Sequence, residues 1–244
     1  LKLSHVGRDC VTAGVMKRPA AVSYSEGAAK LLKKPASTAA PGDCSVYFPA
    51  AAAKGLVFDC DGAVVDSLPA HLRAWEATAE KHGFIFDSEA FRQGTARSDG
   101  EVCEAAGIAQ ANRNAVMRHK ADAYRSACKQ RPPRPIAPVL AVVREGRRRH
   151  LPMAVVSSSP HEDAAAALEA AGALEHFAAV LGCEDYCSGL PDPEPYLAAA
   201  AQLGLRPGAC VAYVATGSAG VAAAKAAGFM KAELVTDFAG YPRL

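Results

Sequence analysis

Two aspartates spaced one residue apart follow the end of an apolar stretch. The residues Gly55-Leu56-Val57-Phe58 lead directly into Asp59-Cys60-Asp61-Gly62. In an extended chain alternate side chains point the same way, so both carboxylates face one side and repel unless a cation or a proton lies between them. Gly62 allows a sharp turn directly after the pair. The pattern predicts a nucleophile or a hard-cation site at the end of a buried strand.

A cluster of serines follows a second apolar stretch. Residues 151–156 predict a buried strand, which ends in Ser157-Ser158-Ser159-Pro160-His161. Hydroxyl groups between a strand end and a helix can bind a phosphate together with the amides of that helix. They can equally be an ordinary helix cap, and the pattern alone leaves both interpretations open.

Strand and helix patterns alternate through most of the chain, which is typical of a parallel α/β sheet. Further strands are predicted at 177–181, 210–215 and 234–235. Between residues 67 and 131 only helical patterns occur, and three prolines mark the return from that segment. We therefore predict an α/β core of residues 55–67 and 134–244, with a helical cap of residues 68–133 inserted into it.

Composition excludes some classes of function. The net charge of the 244 residues is +2, which is too small to indicate nucleic-acid binding by itself, so we expect no sequence-specific DNA binding. The eight cysteines form no CxxC pair and fit reduced thiols; Cys183 and Cys187 could ligate a metal, but no second pair accompanies them. No apolar run reaches the ~18 residues that a transmembrane helix needs.

Residues 1–54 predict an irregular basic arm, with eight Lys or Arg residues against three acidic ones. Such an arm suits an acidic partner surface, and we expect it to bind other protein subunits, anionic lipid or RNA. A basic, acid-poor segment that begins with Leu1 is also typical of the region near an organellar targeting signal. The expected location is an organelle, a chloroplast before a mitochondrion.

The segment from Phe58 to Ser67 resembles the first motif of the haloacid dehalogenase-like (HAD) superfamily, in its β-phosphoglucomutase-like branch, which includes sugar-phosphate phosphatases. The resemblance spans roughly residues 55–244 and implies a Rossmann-like parallel sheet with an inserted helical cap. Further matches are His71-Leu72-Arg73-Ala74-Trp75, Lys120 with Tyr124, Ala154 to Ser159, and Gly220 to Gly228.

The resemblance implies a role for several residues. Asp59 would be the nucleophile that forms an aspartyl-phosphate, and Asp61 the general acid and base. Ser157 and Ser158 would bind the phosphoryl group, and Asp59 and Asp61 would hold Mg²⁺ in an active enzyme. Arg97, in a segment that resembles the substrate-reading loop of such caps, would bind substrate.

The third and fourth motifs of the family lack their charged residues here. Leu190 stands in Gly189-Leu190-Pro191 where the family has a lysine, and Ala215 and Thr216 stand where it has two acids. Electrostatic stabilisation is usually the largest catalytic contribution, so these losses predict weak Mg²⁺ affinity and little turnover. Glu184, Asp185, Asp192 or Lys225 could substitute for the missing groups.

Three hypotheses follow. The first is an inactive member of the superfamily without a cofactor, anchored by its arm as a structural subunit of a larger complex. The second is an active Mg²⁺-dependent phosphatase or phosphomutase for a small sugar phosphate, and the third is a sensor of a phosphorylated metabolite. The lost charges favour the first hypothesis, and the retained Asp59, Asp61 and Ser157 favour the second.

Overall fold

The computed structural model describes residues 52–93, 98–238 and 240–242. Almost all of the predicted arm (1–54) and the predicted substrate-reading residue Arg97 lie outside these ranges. The expectations attached to them therefore remain predictions.

A five-stranded parallel sheet forms the core, in the order β5-β4-β1-β6-β7. Its strands are β1 (Gly55–Asp59), β4 (Met153–Val156), β5 (Ala179–Leu181), β6 (Cys210–Val214) and β7 (Lys231–Leu234). The apolar run ending at Asp59 becomes the fully buried central strand β1, as expected for a strand with neighbours on both sides. The predicted parallel α/β core is confirmed.

The last strand differs slightly from the prediction. The sequence predicts it at 234–235, whereas β7 ends at Leu234 and Val235 begins a short 3₁₀ helix. β7 is an edge strand with one exposed and three half-buried residues. It therefore lacks the continuous apolar run that identifies a buried strand in sequence.

Side chains alternate along β1 between two apolar layers. On one side the ring of Phe58 stacks on Tyr213 with centroids 4.7 Å apart and meets the edge of Phe177 at 5.7 Å. On the other side Val57 joins a cluster that includes Tyr196. The helices that cover these layers are α5 (Ala137–Arg148), α6 (His161–Ala170), α7 (Glu194–Gln202) and α8 (Gly217–Ala226).

Four helices occupy the segment for which we predict a cap: α1 (Leu68–His82), α2 (Ser88–Gln93), α3 (Asp99–Ala105) and α4 (Gln110–Gln130). α1 packs along α4 and ends at Gly83, whose φ of 70° suits a glycine stop. The fully buried Trp75 anchors a separate apolar cluster among these helices. No described helix is long and apolar enough to cross a membrane.

The chain passes from the core into the helical segment and later returns, and a two-stranded sheet connects these two places. β2 (Val65–Asp66) pairs antiparallel with β3 (Arg134–Pro135). This sheet is not predicted from the sequence, because two-residue strands are too short to carry a periodic pattern. It brings the ends of the helical segment together beside the end of β1.

We expect Phe58→Ala to lower the free energy of unfolding by about 3–5 kcal/mol, since it leaves a cavity against two aromatic rings. Ile85→Ala is the control, because Ile85 is 90% exposed and its loss should change stability by no more than about 0.5 kcal/mol. Urea unfolding monitored by circular dichroism measures both. Equal losses in the two variants would contradict this assignment of the core.

Candidate active site

A cleft of about 510 Å³ lies at the carboxyl ends of β1, β4 and β6 and is also lined by residues of the helical segment. Parallel α/β sheets place ligands at this edge, because loops from several strands converge there. The predicted site residues that line the cleft are Asp59, Asp61, Ser157, Ser158, Leu190, Ala215 and Thr216.

Asp59 is the last residue of β1 and is only 4% exposed. Its Oδ1 accepts a hydrogen bond from the Tyr196 hydroxyl at 2.8 Å. Its Oδ2 accepts one from the Ala215 amide at 2.9 Å and another from the Thr216 hydroxyl at 3.3 Å. Both carboxylate oxygens are therefore engaged by neutral donors of the protein.

The environment of Asp59 raises its pKa from 3.8 to about 6. Burial is the main cause, because it disfavours the charged carboxylate. Hydrogen bonds from the Ala215 amide, the Tyr196 hydroxyl and Thr216 oppose this effect and keep the pKa below neutrality. At neutral pH the carboxylate is mainly ionised and retains the lone pairs of a nucleophile.

Asp61 lies in a different environment. Its Oδ1 accepts a hydrogen bond from the Ser67 hydroxyl at 2.5 Å and lies 3.3 Å from His71 Nε2, and its Oδ2 accepts one from Ser157 at 3.0 Å. Burial raises the pKa of Asp61, but the hydrogen bonds and the imidazole of His71 outweigh it and hold the pKa well below its usual value. The pKa values of the two aspartates are thus shifted in opposite directions, as in active sites where two carboxyl groups have different roles.

The turn after the aspartates depends on Gly62. Its φ is +73°, and a Cβ atom there would lie 3.2 Å from the Ala215 Cβ. The Tyr241 hydroxyl donates a hydrogen bond to the Gly62 carbonyl oxygen at 2.7 Å.

Cys60, between the two aspartates, is buried, and burial and both neighbouring charges raise the pKa of its thiol. A thiolate nucleophile is therefore disfavoured here.

The serine cluster divides into two parts. Ser157 is 5% exposed and uses its hydroxyl to donate to Asp61 and to accept from the Ser159 amide at 3.1 Å. Ser158 is exposed and lines the cleft. Ser157 thus fixes the position of Asp61, while Ser158 is the hydroxyl open to a ligand.

The three departures from the family motifs all meet in this cleft. Leu190 packs on the apolar cluster beneath it and presents no charge. Ala215 and Thr216 follow β6 directly and turn hydrogen-bond donors toward Asp59. The positions that the motif comparison singles out therefore lie together in the cleft, where Leu190 is apolar and Ala215 and Thr216 provide hydrogen-bond donors instead of charges.

Two functional candidates, Lys120 and Tyr196, are missed as such by sequence reasoning. Lys120 lines the cleft, is 4% exposed, pairs with Asp99 at 2.8 Å and lies 5.7 Å from the Trp75 ring centroid. The position of Lys120 on the buried face of α4 could have indicated a functional or paired lysine, because charged residues are almost never buried without a partner. Tyr196 lies on α7, and nothing in the sequence around it indicates that its hydroxyl reaches Asp59.

The possible substitutes do not line the cleft. Glu184 accepts from the His161 amide, Asp185 from the Gly182 amide and Asp192 from the Glu194 amide, so each carboxylate serves a local turn. Lys225 is exposed on α8. Among the described residues these groups therefore do not replace the missing charges.

Mg²⁺ prefers oxygen ligands and usually takes one or two carboxylates together with waters. The cleft offers Asp59 and Asp61, but every oxygen of both carboxylates already contacts a protein donor. Within the described part of the chain no three His, Cys, Asp or Glu residues are grouped to hold a metal, which includes the Cys183 and Cys187 region. Membership of the family supports Mg²⁺ use, but these residues do not fit a dedicated Mg²⁺ site.

The chain is similar to known proteins. A family model described as haloacid dehalogenase-like hydrolase matches residues 53–228. Fructose-1-phosphate phosphatase YqaB of Escherichia coli (strain K12) is 30% identical over 179 residues, which are 71% of this chain and 92% of that protein. Beta-phosphoglucomutase of Bacillus subtilis (strain 168) is 26% identical over 184 residues, covering 72% of this chain and 80% of that protein.

Solved structures show the same fold. CbbY from Rhodobacter sphaeroides, crystallised in complex with phosphate, superposes with a TM-score of 0.67 at 20% identity and covers 75% of this chain and 86% of that one. The chain therefore belongs to the haloacid dehalogenase-like hydrolases. Within them it falls in the β-phosphoglucomutase-like branch, as its motifs predict.

The raised pKa of Asp59 predicts a pH-dependent loss of stability. The folded protein holds this proton more tightly than the unfolded chain, so the stabilisation is present below about pH 4 and is lost as the pH rises through about 6. Relative to Asp59→Asn, the wild-type free energy of unfolding should fall by on the order of 3 kcal/mol between these limits. Urea unfolding of both proteins across this range measures the difference.

Only the pH-dependent part of that difference reports the titration of Asp59. A constant offset between the proteins reflects hydrogen bonds changed by the asparagine. Parallel stability curves for wild type and Asp59→Asn would show that the pKa of Asp59 is not raised.

Proposed function

We propose that this chain is a slow phosphatase or phosphomutase for a small sugar phosphate, with Asp59 as nucleophile and Asp61 as general acid and base. The observation that carries the proposal is the arrangement of Asp59 and Asp61. Asp59 and Asp61 line one cleft, and hydrogen bonds fix both carboxylates while their environments push their pKa values apart. The two named relatives, a phosphatase and a phosphomutase, support the same class of chemistry.

In the first step an oxygen of Asp59 attacks phosphorus while the bond from phosphorus to the sugar oxygen breaks. The departing sugar oxygen takes a proton from Asp61. In a phosphatase, water then attacks the aspartyl-phosphate and gives its proton to Asp61, which releases phosphate and restores Asp59. In a phosphomutase the phosphoryl group returns to a different oxygen of the sugar.

Asp61 must gain a proton before it can act as an acid. Its pKa is low in the free cleft, but an arriving phosphate brings negative charge, which disfavours the ionised carboxylate. His71 Nε2, 3.3 Å from Asp61 Oδ1, is placed to pass a proton to it. Stacking against Tyr124, with ring centroids 4.2 Å apart, keeps the His71 ring in that position.

The size and lining of the cleft support a small polar substrate. Its volume of about 510 Å³ is within the range usual for small-molecule sites. Ser98, Asp99 and Glu101 line it from the helical segment and offer partners for sugar hydroxyls, and Lys120 adds a cation. The lysine already pairs with Asp99 at 2.8 Å, so it offers a phosphate less than a free ammonium would.

The missing charges set the expected rate. Losing one preorganised electrostatic group commonly lowers a rate by ~10²–10³-fold, and here both the lysine and the acids of the family motifs are replaced. Turnover should therefore lie orders of magnitude below that of a member with all four motifs.

Binding without turnover is the second candidate. It is favoured by the three neutral donors that occupy both oxygens of Asp59, since a carboxylate engaged in this way is a weaker nucleophile. An inactive structural subunit, an acidic partner for residues 1–54 and an organellar location gain no support from the comparisons. They stay predictions from sequence, and the comparisons favour the catalytic alternative.

Slow release of phosphate from a panel of hexose and pentose phosphates is expected, and Asp59→Asn should abolish it by removing the nucleophile. Purified protein is assayed at high concentration by phosphate detection, with binding measured in parallel by calorimetry. Release that survives Asp59→Asn would point to contamination. Binding of a sugar phosphate without any release would replace the catalytic proposal by the second candidate.

Leu190→Lys should raise kcat/KM for the same substrate by ~10²-fold, because it returns a cation to the place where phosphate charge develops. Leu190→Met is the matched control, as it keeps a flexible apolar side chain without charge and should leave the rate within a few-fold. A lysine variant no faster than the methionine variant would show that the missing cation does not limit turnover.

A further inference from the structure

The charge of Asp59 is balanced by hydrogen bonds instead of by an opposite charge. The Tyr196 hydroxyl binds Oδ1, and the Ala215 amide and the Thr216 hydroxyl bind Oδ2. A divalent cation would bind through the same oxygen lone pairs, so an ion and these donors compete for them.

The donors around Asp59 belong to a buried, closely packed part of the structure. Tyr196 is fully buried and its ring meets the edge of Phe229 with centroids 5.6 Å apart. Ala215 is 5% exposed and follows the fully buried strand β6. Displacing them would leave buried donors without partners, which is expensive in free energy. A cation would have to repay that loss before it gained any affinity.

Thr216 completes this arrangement at the start of α8. It is the N-cap residue of that helix, and its main-chain amide as well as its hydroxyl favours the ionised form of Asp59. The N-terminal end of a helix is itself favourable for an anion. Gly220 permits this placement, since a Cβ atom at that position would lie 1.9 Å from the Thr216 Oγ1 atom.

Asp61 offers a cation no alternative. One of its oxygens accepts from Ser67 and contacts His71, and the other accepts from Ser157. The three acids predicted as possible substitutes do not line the cleft and are engaged in local turns. Each oxygen of the two carboxylates in the cleft therefore already has at least one protein partner without a metal.

We infer that this chain binds its phosphorylated ligand without a divalent cation, with the Tyr196 hydroxyl, the Ala215 amide and Thr216 in the place of the ion beside Asp59. The inference rests on the proposed function only for the nature of the ligand, a compound with a phosphoryl group. It does not require turnover.

Binding of Mn²⁺ alone, followed by electron paramagnetic resonance, tests the cation directly. Wild type and Thr216→Asn should show no saturable site, whereas Thr216→Asp adds a carboxylate next to Asp59 and should gain one. Outer-sphere partners alone change metal affinity by ~10–100-fold, so a new carboxylate ligand should have at least that effect. Wild type that binds Mn²⁺ as tightly as Thr216→Asp would overturn the inference.

A second measurement keeps the test independent of how Thr216→Asp behaves. Calorimetric affinity of the wild-type protein for inorganic phosphate should be the same in EDTA and in excess Mg²⁺. A rise of tenfold or more with Mg²⁺ would overturn the inference. Protein that binds no cation and hydrolyses no sugar phosphate would refute the proposed function and leave this inference intact.

Discussion

The buried carboxylate at the end of the central strand is the constraint on which this site depends. Asp59 is 4% exposed, and an ionised group in such a place is stable only if its oxygens find donors. The donors come from α7 through Tyr196 and from the junction of β6 and α8 through Ala215 and Thr216. The packing of α7 and α8 on the sheet therefore also provides the donors that stabilise the Asp59 carboxylate in the cleft.

The replaced residues of the family motifs support the retained Asp59 in a different way from the charged residues of the family. Where the family resemblance expects acids that would share a cation with Asp59, this chain has an amide and a hydroxyl that donate to it. Leu190 packs on the apolar layer that also holds Tyr196, so its replacement of a lysine removes a charge without opening a cavity. The result is an aspartate pair held in place by neutral groups, with Lys120 as a paired cation in the cleft.

Much of this arrangement follows from sequence, for identifiable physical reasons. The apolar run before Asp59 and the serines after residue 156 mark strand ends, and parallel strands bring their ends together. The short strands β2 and β3 escape prediction and the edge strand β7 is placed only in part, because short or half-exposed strands carry little pattern. Tyr196 and Lys120 escape for another reason: each reaches its partner across a tertiary contact, with 137 residues separating Tyr196 from Asp59. Only the folded chain reveals that the expected charges are replaced by donors.

Asp59 should accept a phosphoryl group although its charge is balanced without a metal. Mass spectrometry of protein mixed with a sugar phosphate in EDTA, then quenched with acid and reduced with borohydride, tests it most directly. The expected result is a modified peptide in which Asp59 has been reduced, and no such peptide from Asp59→Asn. A ligand that binds without modifying Asp59, or a modification that appears only when Mg²⁺ is added, would contradict it.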